Sequence, residues 1–330
     1  MGDIDAWGGP ASGVICSFRF SGGRGAASRE PDPGPADGAE DAWTWTHLRL
    51  GDVRALAAIR QIPDLPAEAL KLFVAGEDRV QIMEDAGWVF GVLPDLERDL
   101  SGDPRDAGRL VFAFDAVRLV TARLHPLLAI DDLRRAAQRG ETFSTPASAV
   151  VACIAFYVDQ TELLLESVGQ KLAAVEDYVL TEPANPRDTD LGGLRRDVAR
   201  RRRELQGLRS ALARANTGRQ GRRVAALADD LADLIASVED ADRDAGVLQE
   251  RGRLLHEEID TQINNATNRS MRALTIISTL LIPPTLVTGA FGMNVPGIPF
   301  EHSSSGFAIA AALCALVVGG ALFLLRRLGM

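Results

Sequence analysis

The chain has 330 residues, 46% hydrophobic and 25% charged, enough for two domains or for one domain with an appendage. Its formal net charge of −9 argues against a nucleic-acid partner held through phosphate charge. Cys16, Cys153 and Cys314 are scattered, so neither a disulfide frame nor a CxxC metal site is expected, and all three read as small apolar residues.

In chain order, Met1 to Pro10 is acidic and Gly-rich. It lacks the basic region and apolar stretch of a signal peptide, so everything before residue 270 is expected to stay in the cytoplasm. Residues 1–145 alternate β-like runs with helical ones, which predicts a cytoplasmic α/β domain with a mixed sheet and flanking helices. The runs are VICSFRF (14–20), WTWTHLRL (43–50), RVQIMED (79–85), WVFGVL (88–93), RLVFAF (109–114) and VRLVTAR (117–123), rich in β-branched and aromatic residues. Helical patterns fall at Val53–Arg60, Ala67–Val74 and Leu127–Arg139. The Gly/Pro/Ala-rich stretch 21–41 reads as a mobile loop between two strands, and its SGGRG lacks the ending of a phosphate-binding loop.

Residues 146–270 form a cytoplasmic helical region. Ala147–Leu180 is one long helix, ended by EPANPRDTDLGG (182–193), and Arg195–Arg214 is a second with a basic cluster over Arg195–Arg203. No proline occurs from 187 to 282. Within that stretch Leu227, Leu231, Leu234, Val238, Ala241, Ala245, Leu248, Gly252, Leu255 and Ile259 keep an alternating spacing of four and three, a heptad seam. A continuous helix from 222 to 282 would be a stalk roughly 90 Å long. Its stripe needs partners: the two preceding helices, copies of the chain, or both.

Ala273–Phe300 contains 28 residues without Asp, Glu, Lys or Arg, and Ser303–Leu325 another 23. Each exceeds the ~20 residues that cross a bilayer core, so 271–291 and 306–326 are expected transmembrane helices joined by an outward-facing loop, 292–305. A buried soluble hairpin is the alternative. Arg269 and Arg272 precede the first span and Arg326 and Arg327 follow the second, which places both termini in the cytoplasm. Two spans cannot enclose a polar path, so conduction requires several copies around an axis. Met271, Leu274, Ser278, Ile282, Thr285 and Gly289 share one face of the first span, suited to a narrow, uncharged pore. Alternatively, the hydroxyls bond their own helix and the face only packs. Pro283 and Pro284 remove two backbone donors mid-span. Gly292 is expected to end the helix by taking a positive φ, which leaves Asn294 at the outer mouth. A ring of Asn amides has dipoles and no fixed charge, so it can meet Mg²⁺-like ions with their waters on and still release them.

MRALTIISTLLIPPTLVTGAFGMN (271–294) resembles the CorA-type divalent-cation transporters, whose signature is Gly-Met-Asn at the end of the first of two C-terminal spans. The resemblance implies a funnel-shaped homopentamer with one central pore, selectivity residues Gly292, Met293 and Asn294, and pore-lining Met271, Leu274, Ile282 and Thr285. It also implies a metal-sensing acid on the stalk, for which Glu257 is a weak match beside Glu258 and Asp260. The VPGIPF that follows Gly-Met-Asn looks like the zinc-transporter, ZntB-like branch, with Glu301 the first acid and His302 a weak candidate for metal capture. The expectation is a divalent-cation transporter of the bacterial inner membrane, in contact with lipid and without a cofactor. Zinc is the preferred cargo, with magnesium, cobalt or nickel as alternatives. A membrane-anchored signalling or scaffold protein is the reading from another class. A tethered enzyme is disfavoured because the four His and three Cys form no HExxH or nucleophile-elbow pattern.

Overall fold

A computed structural model describes residues 13–22, 24–27, 42–76, 78–98, 107–181, 190–217, 228–293 and 306–327. The chain divides into two compact units, Met1–Glu176 with Thr189–Arg253, and Asp177–Asp188 with Leu254–Met330.

The first unit holds a seven-stranded sheet. Its strands are β1 (Val14–Ser21), β2 (Arg24–Ala27), β3 (Trp43–Arg49), β4 (Gln81–Asp85), β5 (Trp88–Leu96), β6 (Ala107–Phe114) and β7 (Arg118–Arg123), in the order β2-β1-β3-β7-β6-β5-β4. Among the described strand pairs only β3 and β7 run parallel, so the sheet is mixed. Alternation along the strands makes two apolar faces. Trp88, Phe90, Val92, Val111, Ala113, Val120 and Ala122 meet α1 (Val53–Arg60) and α2 (Ala67–Ala75). Phe18, Phe20, Trp43, Trp45, Phe112 and Leu119 form the other face, under α3 (Leu128–Gln138) and the long helices. With helices on both sides, every residue of β5 is buried. Gly91 is required there: a Cβ would stand 2.0 Å from the Gln81 carbonyl oxygen of β4.

One expectation needs correction. Residues 21–41 are not all loop, because Arg24–Ala27 pairs with β1 as a hairpin in which Ser21 opposes Arg24. Gly22 supplies the turn with a φ of 56°. This edge strand is held by its pairing, since RGAA carries no β-forming side chain. Residues 28–41 lie outside the described residues.

The helical region comprises α4 (Pro146–Thr181), α5 (Leu191–Thr217) and α6 (Ala228–Phe291), followed by α7 (Gly306–Arg327). In the first unit the heptad seam is covered from within the chain. Leu231, Leu234, Val238, Ala241 and Ala245 are buried in one cluster with Val158 and Leu165 of α4 and Leu205, Leu208 and Leu212 of α5. Small residues bring the helices close: a Cβ on Gly169 would touch Leu248, and one on Gly252 would touch Arg195. The two preceding helices are therefore the seam's partners here.

Two buried polar groups organise the α3 face of the sheet. Thr121 Oγ1 accepts from Trp45 Nε1 at 2.8 Å and lies 2.8 Å from His47 Nδ1. Burial holds His47 well below the usual imidazole range, hence neutral. Asp95, on β5, caps α3 from a distance: its carboxylate accepts from the backbone N–H groups of Ala129 (2.9 Å), Ile130 (3.2 Å) and Leu96 (2.6 Å). Burial raises its pKa to about 7 against the pull of those three donors.

Because that folded pKa is raised, the contribution of Asp95 to stability is fully present below the unfolded carboxyl pKa near 4 and is lost as pH rises through about 7. Asp95→Ala should destabilise the protein by about 2–3 kcal/mol by orphaning buried N–H groups. Asp95→Asn should cost less and flatten the dependence of melting temperature on pH between 4 and 7. Thermal melts across that range check both.

Candidate functional site

Three described helices, α4, α6 and α7, are long and apolar enough to cross a membrane. They differ in what covers them. In the most apolar window of α4, 44% of residues are buried, against none in α6 and 6% in α7. Helix α4 is thus a core helix, while the C-terminal part of α6 and all of α7 expose apolar surface that water cannot solvate favourably.

Within the second unit, α6 shows two sides. Ile276, Thr279, Leu280, Pro283, Pro284, Val287 and Phe291 are half-buried at helical spacing. Cys314 of α7 lies against them, its Sγ 4.0 Å from the Pro284 carbonyl oxygen. Met271, Leu274, Ile282, Thr285 and Gly289 lie on the opposite side and are exposed, with Ser278 half-buried among them. The face singled out by spacing is therefore the one that α7 leaves open. A Cβ on Gly289 would meet nothing within 4 Å.

Three hydroxyls of this segment bond their own helix. Thr275 Oγ1 donates to the Met271 carbonyl (2.8 Å), Thr285 Oγ1 to that of Leu281 (2.6 Å) and Thr288 Oγ1 to that of Thr285 (3.1 Å). Each keeps its oxygen lone pairs as neutral acceptors. Helix α6 continues unbroken through Pro283 and Pro284. The carbonyls they deprive of an intrahelical donor are those of Thr279 and Leu280, on the side toward α7.

The helix ends at Phe291, but not by the expected means. Gly292 is not in the left-handed region; its N–H donates to the Thr288 carbonyl at 2.9 Å. A Cβ there would stand 3.1 Å from that same carbonyl, so the close approach favours Gly. Met293 is exposed. Asn294, Glu301 and His302 lie outside the described residues.

The stalk acids singled out by the sequence are engaged one by one with neighbours on their own helix. Glu257, Glu258 and Asp260 are exposed. Thr261 Oγ1 donates to the Glu257 carbonyl, Glu258 accepts from Gln262 Nε2, and Asp260 stands 3.7 Å from His256. Among the described residues no group of three His, Cys, Asp or Glu is placed to hold a metal ion. A feature that the sequence reading missed lies between α4 and α6 in the first unit, where a groove is lined by Glu162, Glu166 and Asp244. Burial, then the charges of Asp159, Asp244 and Asp240, raise the pKa of Glu162. Acids at spacings of three and four on each helix were its available signal.

A family model described as "CorA-like Mg2+ transporter protein" matches residues 40–327. The divalent cation transporter CmaX of Pseudomonas aeruginosa is 31% identical over 293 residues, 84% of each chain. The zinc transport protein ZntB of Pectobacterium carotovorum is 25% identical over 295 residues, 86% of each chain. The solved structure of full-length CmaX superposes with a TM-score of 0.84 at 26% identity, covering 98% of this chain and 99% of that one.

In the acidic groove, Glu162→Gln removes a charge that its neighbours repel, so the melting temperature at pH 7 should rise by about 1 °C. A raised carboxyl pKa means that this penalty exists only above the unfolded pKa. The gain should therefore shrink as pH falls and vanish by about pH 3, where Glu162 is protonated in both states.

Proposed function

The chain belongs to the CorA-like Mg²⁺ transporter family, and from that premise we propose that it carries divalent cations across the bacterial inner membrane through a pore enclosed by five copies, with zinc as the preferred ion. The observation that carries the reading is the face of α6 opposite α7. It is uncharged, carries the hydroxyls of Ser278 and Thr285, is exposed in the protomer apart from the half-buried Ser278, and is followed in sequence by Gly292-Met293-Asn294.

The chemistry follows from what that face lacks. None of Met271, Leu274, Ser278, Ile282, Thr285 and Gly289 is a Cys or His of the kind that strips and holds bare Zn²⁺. Neither is any of them a carboxylate that would hold a dication too long. Asn294 amide oxygens, repeated around an axis, would greet the ion through its water shell by dipole alone, weakly enough to release it. The apolar positions Leu274 and Ile282 would then act as constrictions that close by dewetting. Arg269, Arg272, Arg326 and Arg327 flank the spans and support cytoplasmic termini.

Zinc is preferred because VPGIPF follows Gly-Met-Asn and because a 25% identical relative is named a zinc transport protein. Magnesium is the second reading, since the family model carries that ion in its description. Cobalt and nickel accompany magnesium as cargo on this reading.

Asn294→Ala should reduce Zn²⁺ uptake into proteoliposomes at least about tenfold while the oligomer stays intact in detergent. Unchanged uptake would remove the proposal. Gly289→Phe adds a ring where the protomer has open space, so the fold should survive while uptake is lost. Leu316→Phe, on the exposed surface of α7, should leave uptake unchanged. Parallel Zn²⁺ and Mg²⁺ fluxes, with and without a pH gradient, decide the cargo.

A further inference from the structure

Four arginines mark one end of the apolar helices of the second unit: Arg269 and Arg272 on α6, Arg326 and Arg327 on α7. All four are exposed, and among the described residues no hydrogen bond or ion pair engages any of their side chains. Acids are remote along both helices: in the sequence none occurs between Asp260 and Glu301, and none follows Glu301.

Their depth follows from the helix rise. Pro284 and Cys314 meet across the pair, and on the proposed reading the two spans run in opposite directions. Arg272 is twelve residues before Pro284 and Arg326 twelve after Cys314, so their Cα atoms stand at one level. Counted from residues 281 and 316, the midpoints of the expected spans, the four Cα atoms lie about 14–18 Å along the helices. Half of a hydrocarbon core is ~15 Å, so all four stand where hydrocarbon gives way to headgroups.

Their direction follows from the helical period. Arg269 and Arg272 continue the row of Ile276, Leu280, Pro283 and Val287 at spacings of three and four. That row is the α7 side of α6, away from the face of Met271, Leu274, Ser278 and Ile282. On α7 the exposed Leu316 and Phe323 share a row with Arg327, with Arg326 beside it. This row points away from Cys314, whereas Leu325, on the Cys314 side, is buried. The guanidiniums therefore stand outside the proposed ion path, at the rim of surface that faces hydrocarbon.

We infer that these arginines hold the phosphate headgroup of an anionic phospholipid, of the phosphatidylglycerol kind, with its acyl chains along Phe323 and Leu316. The inference rests on the proposed placement of both termini in the cytoplasm. Guanidiniums offer paired N–H donors that match phosphate oxygens two at a time, and basic residues just outside a span draw anionic lipid. A zwitterionic headgroup brings its own cation, which the arginines repel. A soluble phosphate would meet the charge but leave the adjoining apolar row uncovered.

The test is native mass spectrometry of the full-length protein in detergent. It is titrated with phosphatidylglycerol, with phosphatidylcholine of the same acyl chains, and with glycerol phosphate as a headgroup without tails. Phosphatidylglycerol should bind at least about tenfold more tightly than phosphatidylcholine. Arg326→Gln with Arg327→Gln should remove that preference, and so should Arg269→Gln with Arg272→Gln. Each pair is exposed and leaves two arginines in place, so the mass of the oligomer and its melting temperature should not change. Equal binding of the two lipids, a preference that survives both substituted pairs, or glycerol phosphate binding as tightly as phosphatidylglycerol overturns the inference. Binding in detergent does not depend on conduction. Absence of lipid preference with intact Zn²⁺ uptake therefore overturns this inference alone, whereas a preference in a protein that carries no Zn²⁺ supports it while the transport reading falls.

Discussion

Helix α6 must satisfy two different solvents with one unbroken backbone. Up to about residue 260 its apolar residues keep to a heptad stripe, and α4 and α5 cover that stripe within the first unit. From Ala273 onward charge disappears from every side of the helix, and side chains as large as Leu281, Ile282 and Leu286 lie exposed in the protomer. A helix is one of the few structures that can make this transition, because its N–H and C=O groups are paired internally whatever surrounds it. The tandem prolines are the exception, and the carbonyls they free fall on the side that α7 approaches.

The β-rich part of the chain was legible because alternation and aromatic content declare strands: all six runs read from sequence recur as strands. Strand β2 was missed for a physical reason. Arg-Gly-Ala-Ala has no side chain that prefers a pleated surface, and its extended state comes from hydrogen bonds to β1, which no local pattern encodes. Composition also fails to separate α4 from a membrane span, since both are long and apolar. Only the burial of Ile154, Tyr157, Val158 and Leu165 against the sheet and its helices distinguishes them. The position of the helix end at Phe291 was readable, whereas its mechanism was not. Glycine fits there through contact with the Thr288 carbonyl rather than through φ.

Legibility of the candidate site divides in the same way. Spacing alone collects Met271, Leu274, Ser278, Ile282, Thr285 and Gly289 on one face, because helical periodicity is local information. That α7 approaches the opposite side is tertiary information, carried by the contact of Cys314 with the Pro284 carbonyl. The fate of the α5 arginines was out of reach for the same reason. Two of them pair with α6, Arg202 with Asp242 and Arg209 with Glu239. Which arginines turn instead toward β4 depends on how α5 crosses the sheet.

The two halves of α6 also divide the reasons for association. In the first unit the heptad stripe finds its partners inside the chain, so the stripe does not require a second copy. In the second unit α7 covers only one side of α6, and two helices leave most of their apolar surface open. Lipid can solvate Leu316 and Phe323, which expose nothing but hydrocarbon. The α6 side bearing Thr285, Ser278 and Gly289 is a poorer match to lipid and a better one to small-residue helix packing or to water. On the proposed reading, the surface that brings copies together and the surface that meets the ion are therefore neighbouring strips of one helix. Substitutions along α6 would then couple assembly to conduction, while those along the outer side of α7 would touch neither.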